Sequence, residues 1–305
     1  FIKKVWFFDN SDPRFTEESK NVMSRKKPAL NFSEEEKERG KQWLESKNIT
    51  DDDWFVCIYA RDEGYLNKTH PNSKLYGDIL KNDFSYYNFR NADINTFDLA
   101  IQYIVDQGGF VIRIGCHPES KLKIEHEKVI DYAYYDRTDF LDIYLPANCK
   151  FFLGTPGGGG EYLSIFDKPR AVVNSIPIGL VPWTPNTIYI YKKVKHQKTG
   201  KYFPLYEIIQ KDWTGVKNFG KGIFDEMDHL HEHSLVYEDN TPEEIYDLTK
   251  EMLERLEGSF VEVVNYKSLL ESHYKSFPPD HTLGHVKAPI GQKFLLDNKE
   301  THVNL

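Results

Sequence analysis

The 305-residue sequence has only three cysteines, and it has no excess of positive charge. Its 39 Lys and Arg stand against 47 Asp and Glu, for a net charge of −8. Each shortage removes a class of protein. Cys57, Cys116 and Cys149 form no CxxC pair, and each lies in or beside an apolar run. They read as reduced, buried thiols of a cytosolic protein. Without surplus Lys and Arg the chain lacks the footprint of a general nucleic-acid binder. No apolar run reaches the roughly eighteen residues a membrane-spanning helix needs, and no signal peptide opens the chain. A GxGxxG fingerprint after a first strand is missing too, which argues against a dinucleotide oxidoreductase. A soluble, cytoplasmic protein is the expectation.

The chain does have aromatics to build a core, with 20 Phe, 19 Tyr and 5 Trp. Residues 1–50 are polar. Ser33 and Glu36 form a capping box that predicts a helix over Ser33–Lys47, read as a linker helix. Trp54–Ala60 is then a continuous apolar run, the pattern of a buried parallel strand. Asp93 caps a helix over Ile94–Gln107, and Gly109–Gly115 is a second strand. Helices are expected near Ile124–Tyr132 and at Asp139–Ala147. The strand Lys150–Leu153 follows, then a glycine-rich turn, a helix at Glu161–Phe166 and the strand Arg170–Asn174. Strands alternating with helices at these lengths predict a Rossmann-like α/β fold, a parallel sheet with helices on both faces. Beyond Pro177 the pattern loosens into a basic, hairpin-like segment, Tyr189–Tyr202. A short strand at Leu235–Tyr237 and a helix capped at Thr241 and reaching about Leu256 are expected next. The tail carries one apolar knot at Phe294–Leu296.

The most informative stretch is Phe151–Glu161, FFLGTPGGGGE. A strand running through Gly157, Gly158, Gly159 and Gly160 into a helix at Glu161 lets backbone approach a diphosphate closely, with helical N–H groups pointing at it. No Lys-Ser/Thr follows Gly160, so it is not a Walker loop. Ligands of open parallel sheets collect at the carboxyl ends of the strands. Those ends carry Arg61, Asp62 and Glu63 after the first strand and Arg113 and Gly115 on the second, Arg113 fitting a buried structural ion pair as well because it sits inside its strand. Thr155 and the glycines follow the third, and Asn174 the fourth. Two arginines beside a glycine-rich helix start form an anion site without a metal. Asp62 and Glu63 are candidate bases, with a solvated loop carboxylate as the commoner reading of such a position. Arg90 and Asn91, in the aromatic segment YYNFRNAD, suit a sugar or a base, with the docking of a loop on the sheet as the alternative. Asp228, His229, His231 and His233 lie in a polar stretch and read as surface residues rather than zinc ligands. Lys192, Lys193, Lys195, Lys198 and Lys201 read as a solvated basic face, with an anionic acceptor or peripheral membrane contact as the alternative.

The succession VCIYARDEGY, FRNADINTF, GGFVIRIG, FFLGTPGGGGEYLSIFDKP and NSIPIG resembles a family of bacterial glycosyltransferases linked to surface polysaccharide synthesis. The similarity spans roughly residues 51–300, with DNTPEEIYDLTKEMLERL matching that family's late helix. The family is similar to transferases of the GT-B type, which place the nucleotide-sugar on a C-terminal Rossmann-like domain. The resemblance implies that residues 51–305 are that domain with a helical tail, and that residues 1–50 are the remnant of an acceptor domain preceding Phe1. It implies donor-phosphate contacts from Arg61, Arg113, Thr155 and Gly157–Gly160, with Asp62 as the base. The co-substrate would be a nucleotide-sugar, no metal or other cofactor would be needed, and the acceptor would be a glycan or lipid-linked glycan. Four consecutive glycines depart from the family, which more often shows fewer glycines with Ser nearby. A nucleotide-sugar epimerase of the same architecture and a non-catalytic nucleotide-sugar-binding subunit are the alternatives.

Overall fold

The computed structural model describes residues 30–69, 85–176, 178, 186–211, 230–275 and 288–302. Among these, six strands form one sheet in the order β3-β2-β1-β4-β5-β6, every pair parallel. They are β1 Phe55–Tyr59, β2 Phe110–Arg113, β3 Val129–Ile130, β4 Phe151–Gly154, β5 Arg170–Ser175 and β6 Thr187–Tyr191. This is the Rossmann-like strand order.

The apolar runs are continuous because the sheet is buried on both faces. Along β1, Val56 and Ile58 enter one core while Phe55 and Cys57 enter the other. Phe151 and Leu153 of β4 follow the first pair, and Phe152 follows the second. The first core is closed by α3 (Asp98–Asp106), α8 (Pro242–Glu257), α9 (Tyr266–Lys275) and α10 (Gln292–Asp297). The second is closed by α1 (Glu34–Ser46) and α5 (Asp139–Asn148). Local chemistry sets the ends of these helices. Ser33 and Thr241 each make a complete capping box, Asp93 accepts the N–H of Asn95 ahead of α3, and Gly258 stops α8 in the left-handed conformation. The expected apolar knot Phe294–Leu296 lies inside α10, where Phe294 and Leu295 are buried.

Helix α1 is packed against the sheet domain. At Gly40 it approaches α5 so closely that an added Cβ would sit 2.1 Å from the ring of Tyr144. Phe32 stacks on Phe166 at 5.6 Å.

Two elements differ from the reading of the sequence. No helix covers residues 124–132; the segment reaches the sheet edge as β3, and a single turn, α4 (Tyr132–Tyr135), comes after it. The hairpin-like segment is divided. Thr187–Tyr191 is the sixth parallel strand, whereas β7 (Lys193–His196) does form the expected hairpin through an antiparallel bridge from Lys195 to Tyr202, and pairs antiparallel with β8 (Leu235–Glu238) on its other side. An apolar run in β6 outweighs the lysines that follow it, because burial on both faces rewards the run itself.

Candidate functional site

In this strand order the connections leaving β1 and β4 run to opposite sides, so their first residues part and leave a crevice at the carboxyl edge. Arg61 and Thr155 stand there. The main-chain N–H of Arg61 donates to the Thr155 hydroxyl at 2.9 Å, and the N–H of Thr155 donates to the Tyr59 carbonyl at 3.0 Å. Thr155 is 1% exposed and Arg61 is half-buried. The Arg61 guanidinium donates to the Asn91 side-chain oxygen, and the Arg61 carbonyl accepts the N–H of Ala92. Burial lifts the Tyr59 phenol above its ordinary value, and the charges of Arg61 and Arg90 pull it back in part. Both guanidinium groups therefore act electrostatically on one phenol. The Nε of Arg90, which ends the short helix Ser85–Arg90, is buried without a hydrogen-bond partner.

The glycine segment is built otherwise than expected. Gly158, Gly159 and Gly160 are the opening residues of a one-turn helix, α6 (Gly158–Glu161), and a 3-10 turn over Tyr162–Phe166 continues it. Gly157, Gly158 and Gly160 have no positive φ. Conformational freedom is thus not what glycine supplies here, and a helix this short adds little macrodipole. The missing side chains matter instead: a Cβ on Gly157 would lie 3.1 Å from the Tyr59 hydroxyl, and one on Gly160 would lie 3.2 Å from the Phe152 ring. Gly158 is exposed, with open space beyond it. The Glu161 side chain lies outside the described residues.

Asp62 is held from both sides. One carboxylate oxygen accepts the N–H of Gly64 at 3.0 Å and the other accepts the N–H of Glu119 at 3.1 Å. Arg113, 2% exposed, lies 3.9 Å from Asp62 and 3.5 Å from Asp131, and donates to the Ser120 carbonyl at 2.6 Å. Its charge is spent on pinning the loop after β2 beneath the crevice. Gly115 begins that loop with φ 140°, its α-carbon facing the Tyr59 ring. Burial, then the carboxylates of Asp62 and Glu63, raise the carboxyl of Glu119 above its usual value. Glu119 is an acid that the sequence did not single out.

Lys192 corrects the reading of the basic run as a solvated face. It follows directly on β6 and is 2% exposed. Its ammonium donates to the carbonyls of Phe89 (2.8 Å) and Asn91 (2.7 Å) and pairs with Asp239 at 2.7 Å. Burial lowers its pKa, Asp239 opposes that shift, and the charge of Arg61 adds to it. Beside it lies a cavity of about 700 Å³, whose lining includes Asn88, Phe89, Asn91, Lys192, Tyr237 and Asp239. Asn174, near the end of β5, takes the left-handed conformation at φ 51°. Its side-chain oxygen accepts the N–H of Asn240, its own N–H donates to the Asn240 side chain, and its Nδ2 is buried without a partner. The structure so gathers Arg61, Thr155, Gly157 and Arg90 around Tyr59. It leaves Asp62 and Arg113 in a buried brace and puts Asn91 between the crevice and the cavity.

Asp228 and His229 lie outside the described residues. His231 is helical and exposed and His233 lies in a turn, so a strand carrying HxHxH on one face is not what the chain forms. Among the described residues no three His, Cys, Asp or Glu side chains cluster as metal ligands, and no helix is long and apolar enough to cross a membrane. Cys57 and Cys149 are buried and Cys116 is partly so; all three are free thiols. Comparison with protein-family models, curated proteins and solved structures finds no match to this chain.

Proposed function

We propose that the chain binds a nucleotide-sugar at the β1–β4 crevice and transfers the sugar to a glycan or lipid-linked glycan acceptor, as the nucleotide-sugar domain of a GT-B-type glycosyltransferase. The observation that carries the reading is the meeting of Arg61, Arg90, Thr155 and the side-chain-free Gly157 at the switch point of a 3-2-1-4-5-6 sheet. Nucleotide phosphates favour that place in such sheets. Two guanidinium groups supply charge for a departing diphosphate, and a planar fork suits paired phosphate oxygens. The transfer itself joins the anomeric carbon to an acceptor oxygen and breaks its bond to the diphosphate. A base takes the acceptor proton, and the arginines hold the charge left on the diphosphate.

One observation favours a second reading, a subunit that binds the nucleotide-sugar without turning it over. Both oxygens of Asp62 already accept backbone N–H groups, which is the bonding of a structural carboxylate. Glu63 and Glu119 stand next to it as the other acids of that edge.

Thermal-shift and calorimetric titration with a panel of nucleotides and nucleotide-sugars tests the binding step, because a ligand that binds only the native state raises its melting point. Stabilisation is expected from a nucleoside diphosphate, weakened in Arg61→Ala. Gly158→Ala should keep the fold, since its Cβ meets open space, and lose affinity only where the phosphate touches that turn. A panel without a single stabilising nucleotide would refute the donor reading. Asp62→Asn separates transfer from mere binding: retained binding and lost turnover would make Asp62 the base.

A further inference from the structure

The cavity beside Lys192 is separate from the phosphate crevice but shares a wall with it. Asn91 is the shared residue: its side-chain oxygen takes the Arg61 guanidinium, its carbonyl takes the Lys192 ammonium, and it lines the cavity. At about 700 Å³ the space matches the roughly 300–1,000 Å³ of small-molecule sites.

Its lining has a definite chemistry. Phe89 and Tyr237 stack at 5.9 Å, 18° from parallel, and make one wall apolar. Asn88 and Gln197 bring amides that both donate and accept. Asp239 gives one oxygen to Lys192; among the described residues nothing donates to its other oxygen, and its side chain is 44% exposed. Lys192 has its three protons on Asp239 and two carbonyls, so it positions the wall rather than offering a cation to a ligand. A carboxylate facing the space, beside an ammonium already bonded three times, disfavours phosphate. An uncharged ring with hydroxyls to donate and C–H faces to lay on an aromatic wall suits Asp239, the two amides and the Phe89–Tyr237 wall. We infer that this cavity binds the glycosyl ring of the ligand, with Asp239 accepting from its hydroxyls and Phe89 and Tyr237 packing on its C–H face. The inference deepens the proposed function, since the diphosphate would then lie across Asn91 at Arg61 and Arg90.

Saturation-transfer NMR on the whole chain with free D-glucose, D-galactose, D-mannose and N-acetyl-D-glucosamine tests it without relying on any nucleotide. At least one sugar should give ring-proton signals. Those signals should vanish in Tyr237→Ala, and the affinity should fall about tenfold in Asp239→Asn, the loss of one charged hydrogen bond. Asp239→Asn keeps an oxygen for Lys192, so it guards against a merely unfolded Tyr237→Ala, and circular dichroism checks both. Silence from all four sugars, or signals that survive both substitutions, overturns the inference. So does a loss of nucleotide affinity in Tyr237→Ala without any sugar signal, which would put the base in the cavity. Sugar signals that respond to both variants in a protein that binds no nucleotide would support the cavity and sink only the phosphate site.

Discussion

The N–H of Arg61 donates to the hydroxyl of Thr155 across 2.9 Å, and that bond joins the loop leaving β1 to the residue after β4. It sits at the one place in the sheet where the chain leaves in two directions. Thr155 is buried, so the bond is made away from water, and removing its acceptor strands the Arg61 amide. Thr155→Val keeps the shape and should lower unfolding free energy by about 1–3 kcal/mol, whereas Thr155→Ser should cost less. Urea denaturation of the three proteins measures this. Equal midpoints for Val and wild type would mean that the hydroxyl holds nothing.

Arg61 itself should matter through the shape of its fork as well as its charge. With a nucleotide-sugar found by the binding screen, Arg61→Ala should lose roughly 2–4 kcal/mol of transition-state stabilisation, the worth of one preorganised donor. Arg61→Lys should lose less but not recover fully, because an ammonium cannot bond two phosphate oxygens as a guanidinium does. Steady-state kinetics on folded variants decides it. Wild-type turnover in Arg61→Ala would put the phosphate elsewhere.

Gly40 offers a test of how α1 is held. In an isolated helix Gly→Ala is stabilising by about 1 kcal/mol. Here the new Cβ would meet the ring of Tyr144, which is itself packed by Phe32 and Phe140. Overpacking of about 1–3 kcal/mol should outweigh the helix propensity. A lower melting temperature for Gly40→Ala is expected; a higher one would show α1 to be loosely attached.

Lys192 should be costly to replace. Lys192→Met leaves the partly buried carbonyls of Phe89 and Asn91 without their donor, while Asp239, 44% exposed, keeps access to water; the loss should be about 1–3 kcal/mol. Chemical denaturation should show a loss of that order. A loss under about 1 kcal/mol, typical of an exposed ion pair, would return Lys192 to the surface.

Why β1, β2, β4 and β5 could be read from the sequence, and β3 could not, follows from length and burial. Trp54–Ala60 is apolar for a whole strand and flanked by aspartates, while Val129-Ile130 is a two-residue edge strand inside a charged segment. Arg61 and Thr155 were visible because a polar residue after a buried run must emerge at the carboxyl edge. The same rule applies to Lys192 after TIYIY; the neighbouring lysines hid it. Arg113, inside a strand, could be read as one half of a buried ion pair, but its partners Asp62 and Asp131 lie far from it in sequence and no local pattern names them. The glycines misled for a different reason. Their run suggested a turn ahead of a helix at Glu161, but the helix already starts at Gly158, and the rings of Tyr59 on β1 and Phe152 on β4 are what need the room.

The acid side of the stability curve should be governed in part by His273. The imidazole is completely buried on α9, its Nε2 3.0 Å from the Tyr189 hydroxyl and its ring parallel to that of Tyr191 within 17°. Burial depresses its pKa from the ordinary 6.5 to about 3, because a charged imidazole there would lose its hydration. The folded protein therefore keeps His273 neutral between those values, while the unfolded chain takes up the proton. The unfolded state binds more protons there, so stability must fall as the pH falls through the window. Each unit below 6.5 is worth about 1.4 kcal/mol for a group shifted this far, so about 2 kcal/mol should be gone by pH 5. His273→Gln is neutral throughout and can still bond the Tyr189 hydroxyl. It should be less stable than wild type at pH 7.5, where the native packing is intact, and should lack this contribution to the slope. The carboxylates titrate alike in both proteins and cancel in the difference. Urea midpoints at pH 7.5, 6 and 5 should thus show the two proteins converging on acidification. Parallel curves would mean that His273 is protonated in the fold, or that water reaches it.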